Sequence, residues 1–195
     1  YFGERPAHLS WTVADFRNLI TVESFSKSFS LLGLRLAYAV AAPRIVGRLQ
    51  AISQRLMLCP GTLEQAAMVR FLTSTDTRDL AGYLEHARQA YRDAYRLAHL
   101  AFAQGGTPTQ TLTSDGGFYL VIRVPGPCGD DAAFCDALFN EARILAVPGR
   151  AFGSATAGWV RTAFAPHVND PSRLQGLYGE LASFARNWRS SHENL

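Results

Sequence analysis

The stretch SFSKSFSLLGLR, residues 24–35, holds Lys27, the one lysine among 19 basic residues in a chain of 195; the other 18 are arginine. Wherever a side chain need only carry positive charge, this sequence uses a guanidinium, which stays protonated and cannot attack a carbonyl. An amine can lose its proton and do so. The single lysine is either chance in an arginine-biased composition or a Schiff-base lysine, and its neighbours must separate the two. Ser24 and Ser26 flank it with hydroxyls, Gly33 permits a close turn, and Arg35 opens the next extended run. Taken singly, serines and a glycine are ordinary turn chemistry. Together with a lysine and an arginine they are what a phosphorylated aldehyde needs: hydroxyl donors and a fixed guanidinium for the phosphate, an amine for the aldehyde.

Outward from this stretch, Asn18–Glu23 and Leu34–Ala41 are short β-branched or apolar runs, giving strand, loop, strand with Lys27 in the loop. Pro43 suits a first helical turn, and Ile45, Val46, Leu49, Ile52 and Leu56 recur at helical spacing. Further helices are expected at Thr62–Leu72 and Asp79–Ala103, the second stopped by Gly105 and Gly106. Arg88, Arg92 and Arg96 form an i, i+4 stripe on it; with Glu85 and Asp93 interleaved, a solvated outer face is expected rather than a phosphate-binding one. Beyond the double glycine the pattern predicts a strand at Phe118–Val124, a helix at Asp130–Ala142, strands at Ile144–Val147 and Trp159–Ala165, and a helix at Pro171–Trp188. The domain boundary is expected near Gln104–Gly106.

With 48% hydrophobic and 18% charged residues the composition suits a globular chain with a sizeable core. The formal charge of +3 is spread thinly, giving no reason to infer nucleic acid or an anionic membrane surface. Cys59, Cys128 and Cys135 lack CxxC spacing and leave one unpaired in any disulfide scheme, so a reducing compartment, the cytoplasm, is expected, with no metal site. No apolar run approaches the length of a membrane span, and the start, YFGERPAHLS, has neither the basic head nor the apolar stretch of a signal peptide. Because it begins at tyrosine and soon enters strand-like sequence, the chain is expected to be a piece of a longer one.

The run S-F-S-K-S-F-S-L-L-G-L-R-L-A-Y resembles the cofactor-lysine signature of the class I/II, fold-type I, pyridoxal 5′-phosphate-dependent aminotransferases. Ser114–Leu120 (SDGGFYL) is similar to that family's glycine-glycine-aromatic strand, Val147–Gly153 (VPGRAFG) to its proline-glycine turn, and Trp159–Ala165 (WVRTAFA) to its carboxylate-arginine strand. Tyr1 stands about where the family has the tyrosine that hydrogen-bonds the cofactor's 3′-oxygen. Ala37 replaces a usual glycine, and Ser28-Phe29-Ser30 a commoner threonine-aromatic-glycine run; both put the substrate in doubt rather than the class.

The resemblance implies an α/β fold: the C-terminal part of a fold-type I enzyme, with the end of the large cofactor-binding domain and its long connecting helix in 1–104 and a small domain in 105–195. It implies that Lys27 forms the Schiff base with pyridoxal phosphate and later moves a proton, that Tyr1, Ser24, Ser26 and Arg35 hold the cofactor, and that Arg161 holds the substrate's α-carboxylate. From the strand alone, Arg161 has the alternative of an Asp or Glu partner within the small domain. An N-terminal half would supply the glycine loop, the stacking aromatic, an asparagine and the aspartate facing the ring nitrogen. The implied activity is amino transfer from an L-amino acid to a 2-oxo acid by a homodimer in amino-acid metabolism. The same fold also serves amino-acid decarboxylases and lyases, and effector domains of transcriptional regulators.

Overall fold

The computed structural model of the chain describes residues 2, 16–107, 109–126 and 130–192, so Tyr1 lies outside the described residues. They form two compact units, residues 16–86 and residues 87–192 with Phe2.

In the first unit, β1 (Ile20–Ser24) pairs antiparallel with β2 (Ala37–Ala41), Ile20 opposite Ala41 and Ser24 opposite Ala37. The connection differs from the expected loop. Lys27 sits in a one-turn helix, α1 (Phe25–Ser28), started by Ser24, whose Oγ accepts the Ser26 N–H at 3.2 Å. A serine just before the turn satisfies its first free amide, and the Phe29 N–H closes the turn on the Phe25 carbonyl at 3.2 Å. The second strand begins later than Leu34. Leu32–Leu34 is a 3-10 turn closed by Arg35 in the left-handed region (φ 52°), so Arg35 precedes the strand rather than opening it. The reversal falls on Ser30 (φ 56°) and Arg35, not on Gly33, whose α-carbon faces open space.

Helix α2 (Pro43–Leu56) starts with the proline in its first turn, as expected. Helix α3 (Thr62–Ser74) ends where the Thr75 hydroxyl donates to the Phe71 carbonyl at 2.6 Å. Helix α4 (Thr77–Gln104) begins at Asp76, whose carboxylate accepts the Arg78 N–H at 2.7 Å. The division between the units falls inside α4, between His86 and Ala87, upstream of the Gln104–Gly106 stretch where the helix ends. The reason is on the helix: Ala94, Ala98, Ala101 and Phe102 are buried in the second unit's core. The arginine stripe is not a uniform outer face. Arg96 is exposed, but Arg88 and Arg92 are half-buried, and Arg92 Nε is buried without a partner among the described residues.

The second unit is a four-stranded antiparallel sheet in the order β3 (Thr111–Leu112), β4 (Tyr119–Arg123), β6 (Trp159–Ala163), β5 (Val147–Pro148). β3 was not expected from the sequence, being two residues long. β5 is shorter and later than the expected Ile144–Val147, because Ile144 and Ala146 turn into the core and only Val147 and Pro148 meet β6. Leu120 faces Thr162 and Ile122 faces Val160 across β4 and β6, so these four share one face, and all four are buried. The second half of α4, α5 (Asp131–Ala142) and α6 (Pro171–His192) supply the rest of that core through Phe102, Phe134, Leu138, Leu174, Tyr178 and Leu181. Asp130 caps α5 by accepting the Ala132 and Ala133 N–H groups, and Asp170 caps α6 by accepting that of Arg173 at 2.9 Å. A buried hydroxyl pair is satisfied: Thr162 Oγ1 donates to the Leu120 carbonyl and meets the Tyr178 hydroxyl, both at 3.1 Å. The opposite face, with Tyr119, Val121, Arg123, Trp159 and Arg161, has no layer over it among the described residues.

Candidate active site

The hairpin β1–β2 brings together four of the residues singled out from the sequence. Ser24 and Ala37 are opposite partners, and the Phe25 N–H donates to the Leu36 carbonyl at 3.2 Å, so Ser24 and Arg35 stand at the same end with Lys27 on the turn between them. Ser24, Lys27 and Arg35 are exposed, whereas Ser26 is 5% exposed. The left-handed φ of Arg35 breaks the strand's alternation before it starts, and the guanidinium folds back so that Nη1 donates to the Leu32 carbonyl at 3.3 Å. The segment after Lys27 is held from behind. Phe29 packs edge-on against Phe71 of α3, and its carbonyl accepts the Tyr83 hydroxyl of α4 at 3.0 Å. A cavity of about 400 Å³ behind it is lined by Phe29, Leu31, Leu34, Met68, Phe71 and Tyr83 among others; none of the four polar residues lines it.

In the second unit, Arg161 stands on the uncovered face of the sheet, as the alternation of β6 requires with Val160 and Thr162 buried on the other side. Its guanidinium lies 4.2 Å from the Tyr119 ring centroid and 4.4 Å from that of Phe152. Tyr119 is two residues from Val121, the cross-strand partner of Arg161, so the ring reaches the cation diagonally. Phe152 comes from a 3-10 turn, Gly149–Phe152, that follows β5. Two aromatic faces hold the planar cation in place without neutralising it. Among the described residues no carboxylate pairs with Arg161. Arg123, on the same strand face two positions beyond Val121, is exposed and lies 5.9 Å from the Trp159 ring.

Sequence reasoning marked the segments carrying Tyr119 and Phe152 but not their role, since a ring stacked on a distant arginine leaves no spacing signal. It also missed the Arg150–Asp131 pair. The Arg150 backbone N–H reaches Asp131 Oδ2 at 2.7 Å, its Nε reaches Oδ1 at 2.5 Å, and Nη2 reaches Asp130 at 2.8 Å. Burial by itself would push the Asp131 carboxyl up, but the bonds from the Arg150 N–H and guanidinium hold it below the usual carboxylate range.

Residues 2–173 match the family model described as aminotransferase class I and II. The chain is 30% identical over 150 residues to aromatic-amino-acid aminotransferase 2 of Thermococcus litoralis and 31% identical over 150 residues to an aspartate aminotransferase of Pyrococcus abyssi. Each match takes in 77% of this chain and 37% of the relative, so the chain spans little more than a third of their length. The crystal structure of an aromatic aminotransferase from Pyrococcus horikoshii superposes with a TM-score of 0.76 at 26% identity, covering 91% of this chain and 46% of that one. With the α/β fold, the order of its segments and the family match in agreement, the chain belongs to the class I and II aminotransferase family.

Proposed function

We propose that the complete protein is a pyridoxal phosphate-dependent aminotransferase that passes the amino group of an L-amino acid to a 2-oxo acid, and that this chain carries its lysine and its carboxylate arginine. The observation that carries this reading is the hairpin end, where the chain's single lysine stands on a one-turn helix between the exposed Ser24 and Arg35. The donor set fits the cofactor: a hydroxyl and a guanidinium suit a phosphate dianion, and an exposed primary amine suits an aldehyde. Ser26 contributes from a buried position and Tyr1 from outside the described residues.

When bound, pyridoxal phosphate supplies an electron sink for the charge left on the substrate's α-carbon. The chain's own residues do the rest. Ser24 would hydrogen-bond a phosphate oxygen through its hydroxyl, and Arg35 would set its charge against the same group. Lys27 Nζ would hold the cofactor and, once free, would take the α-proton as a base. Arg161 binds the α-carboxylate through its planar fork, which fixes the bond that breaks. Residues 1–104 are the end of the large domain and 105–195 the small one, and the whole works in the cytoplasm as a homodimer.

The test is reduction with borohydride after loading the complete protein with pyridoxal phosphate, followed by peptide mapping. A cofactor adduct on Lys27 is expected. An adduct that maps elsewhere, or none at all, would remove the assignment.

A further inference from the structure

Asp131 is 0% exposed, at the first residue of α5, and a carboxylate is costly to desolvate unless something specific is gained. Both of its oxygens go to one residue, Arg150, whose guanidinium is half-exposed and also meets the α5 cap Asp130. Arg150 lies in the turn Gly149–Phe152, and Phe152 is the ring stacked on Arg161. The same turn is tied from its other side: the Thr156 hydroxyl donates to the Gly149 carbonyl at 2.7 Å. A Cβ on Gly149 would collide with the carbonyl oxygens of Thr156 and Trp159, so the turn has no room to shift that way. The ring is therefore referenced to the buried end of a core helix rather than to a free loop.

We propose that Asp131 and Arg150 are a positioning pair for the substrate carboxylate: they hold the turn so that Phe152, with Tyr119, presents the fork of Arg161 in one orientation. This rests on the reading of Arg161 as the carboxylate-binding group. A pair serving the fold alone would affect all substrates alike. A pair serving the fork affects those bearing an α-carboxylate.

The experiment uses the complete, cofactor-loaded protein, its accepted L-amino acid donor, and the amine left when that donor loses its α-carboxylate. Arg161→Lys calibrates the assay by impairing the acid and sparing the amine. Asp131→Asn, Arg150→Gln and Phe152→Leu are each expected to lower kcat/KM for the acid about tenfold through misplacement of the fork, leaving the amine within twofold. Arg150→Lys should recover part of the loss. Arg150→Gln retains the backbone N–H bond to Asp131 and so serves should Asp131→Asn fail to fold; thermal unfolding confirms that each variant is folded. Should Arg161→Lys treat acid and amine alike, the carboxylate reading fails and the proposal with it. Should Arg161→Lys discriminate while folded Arg150→Gln and Phe152→Leu do not, the positioning role alone is overturned.

Discussion

The two units use apolar residues in opposite ways. Residues 87–192 enclose Phe102, Phe134, Tyr178, Leu120 and Ile122 almost completely, with one face of the sheet covered by three helices. In residues 16–86 only Leu36 and Met68 are buried among the described apolar side chains, while Val22 is 68%, Leu58 78% and Leu63 79% exposed. The hairpin alternates little: Ile20 and Val22 point one way, Tyr38 and Val40 the other, and all four are exposed. Strands apolar on both faces are those of a sheet covered on both sides. The second unit is thus a core in its own right, whereas the first leaves most of its large apolar side chains exposed, with the lysine at the end of its hairpin. The chain's span of 37% of its relatives agrees with that difference.

The largest effect should appear in hydrogen exchange on the isolated 195-residue chain. Amides of β4, β6 and α6 are expected to exchange orders of magnitude more slowly than those of β1 and β2, because protection follows local burial. Equal protection in the two units would break the comparison. The isolated chain is also expected to be poorly soluble and to turn over no common L-amino acid, and measurable turnover by the purified chain would contradict this.

Next in size is the cost of losing a packed ring. Phe134→Ala should destabilise the second unit by about 3 to 5 kcal/mol in denaturant unfolding, whereas Leu58→Ala should fall within about 0.5 kcal/mol of the parent. A comparable loss from both would show that the first unit has a core of its own.

Arg161→Lys in the complete enzyme should reduce kcat/KM for donor and acceptor by about ten- to a hundredfold, because a point charge cannot make the bidentate contact. Arg123→Lys, exposed on the same face, should leave both near the parent value. The reverse pattern would assign the carboxylate to another group.

The smallest effects are those of pH and thiol reactivity. Burial, then the charges of Asp131 and Asp136, pushes the Cys135 thiol from 9.0 up to about 12. Burial likewise pushes the Tyr178 phenol from 10.0 up to about 12, the Thr162 bond working against it. The folded unit therefore holds protons that the unfolded chain releases, and its stability should decline as pH rises from about 9 toward about 12. Asp131 works with the opposite sign: its folded value lies below 3.8, so its contribution is present above 3.8 and lost as pH falls through the folded value. A flat unfolding midpoint at both ends would contradict these assignments. At pH 8, a thiol reagent should label the exposed Cys59 and spare the buried Cys135; mass mapping that finds the two equally labelled would contradict the packing of α5.

Much of this was legible in the chain. Apolar periodicity located α2, α3, α4, α5 and α6 to within a few residues, since each buries or offers one stripe. The single lysine with its serines and arginine pointed to a cofactor chemistry that the family match supports, because that chemistry demands particular residue types close together in sequence. Legibility stopped where an element's state depends on partners distant in sequence. The turn around Lys27 reads as loop because one amide captured by Ser24 leaves no periodic trace. β5 was placed early because Ile144 and Ala146 are apolar for the core's sake and not for the ladder's.

By itself, then, the amino-acid sequence determined the order of the long helices and the main strands and the family, and singled out Lys27 as the candidate amine, all of which are written in local pattern and residue type. Tertiary structure alone decided that Arg161 has two rings and, among the described residues, no carboxylate beside it, that Arg150 is anchored to a buried Asp131, and that one unit is closed while the other is open. Those facts depend on which side chains meet across a stretch of chain, 9 residues for Phe152 and Arg161 and 19 for Asp131 and Arg150, and burial and charge pairing exist only once the chain has brought them together.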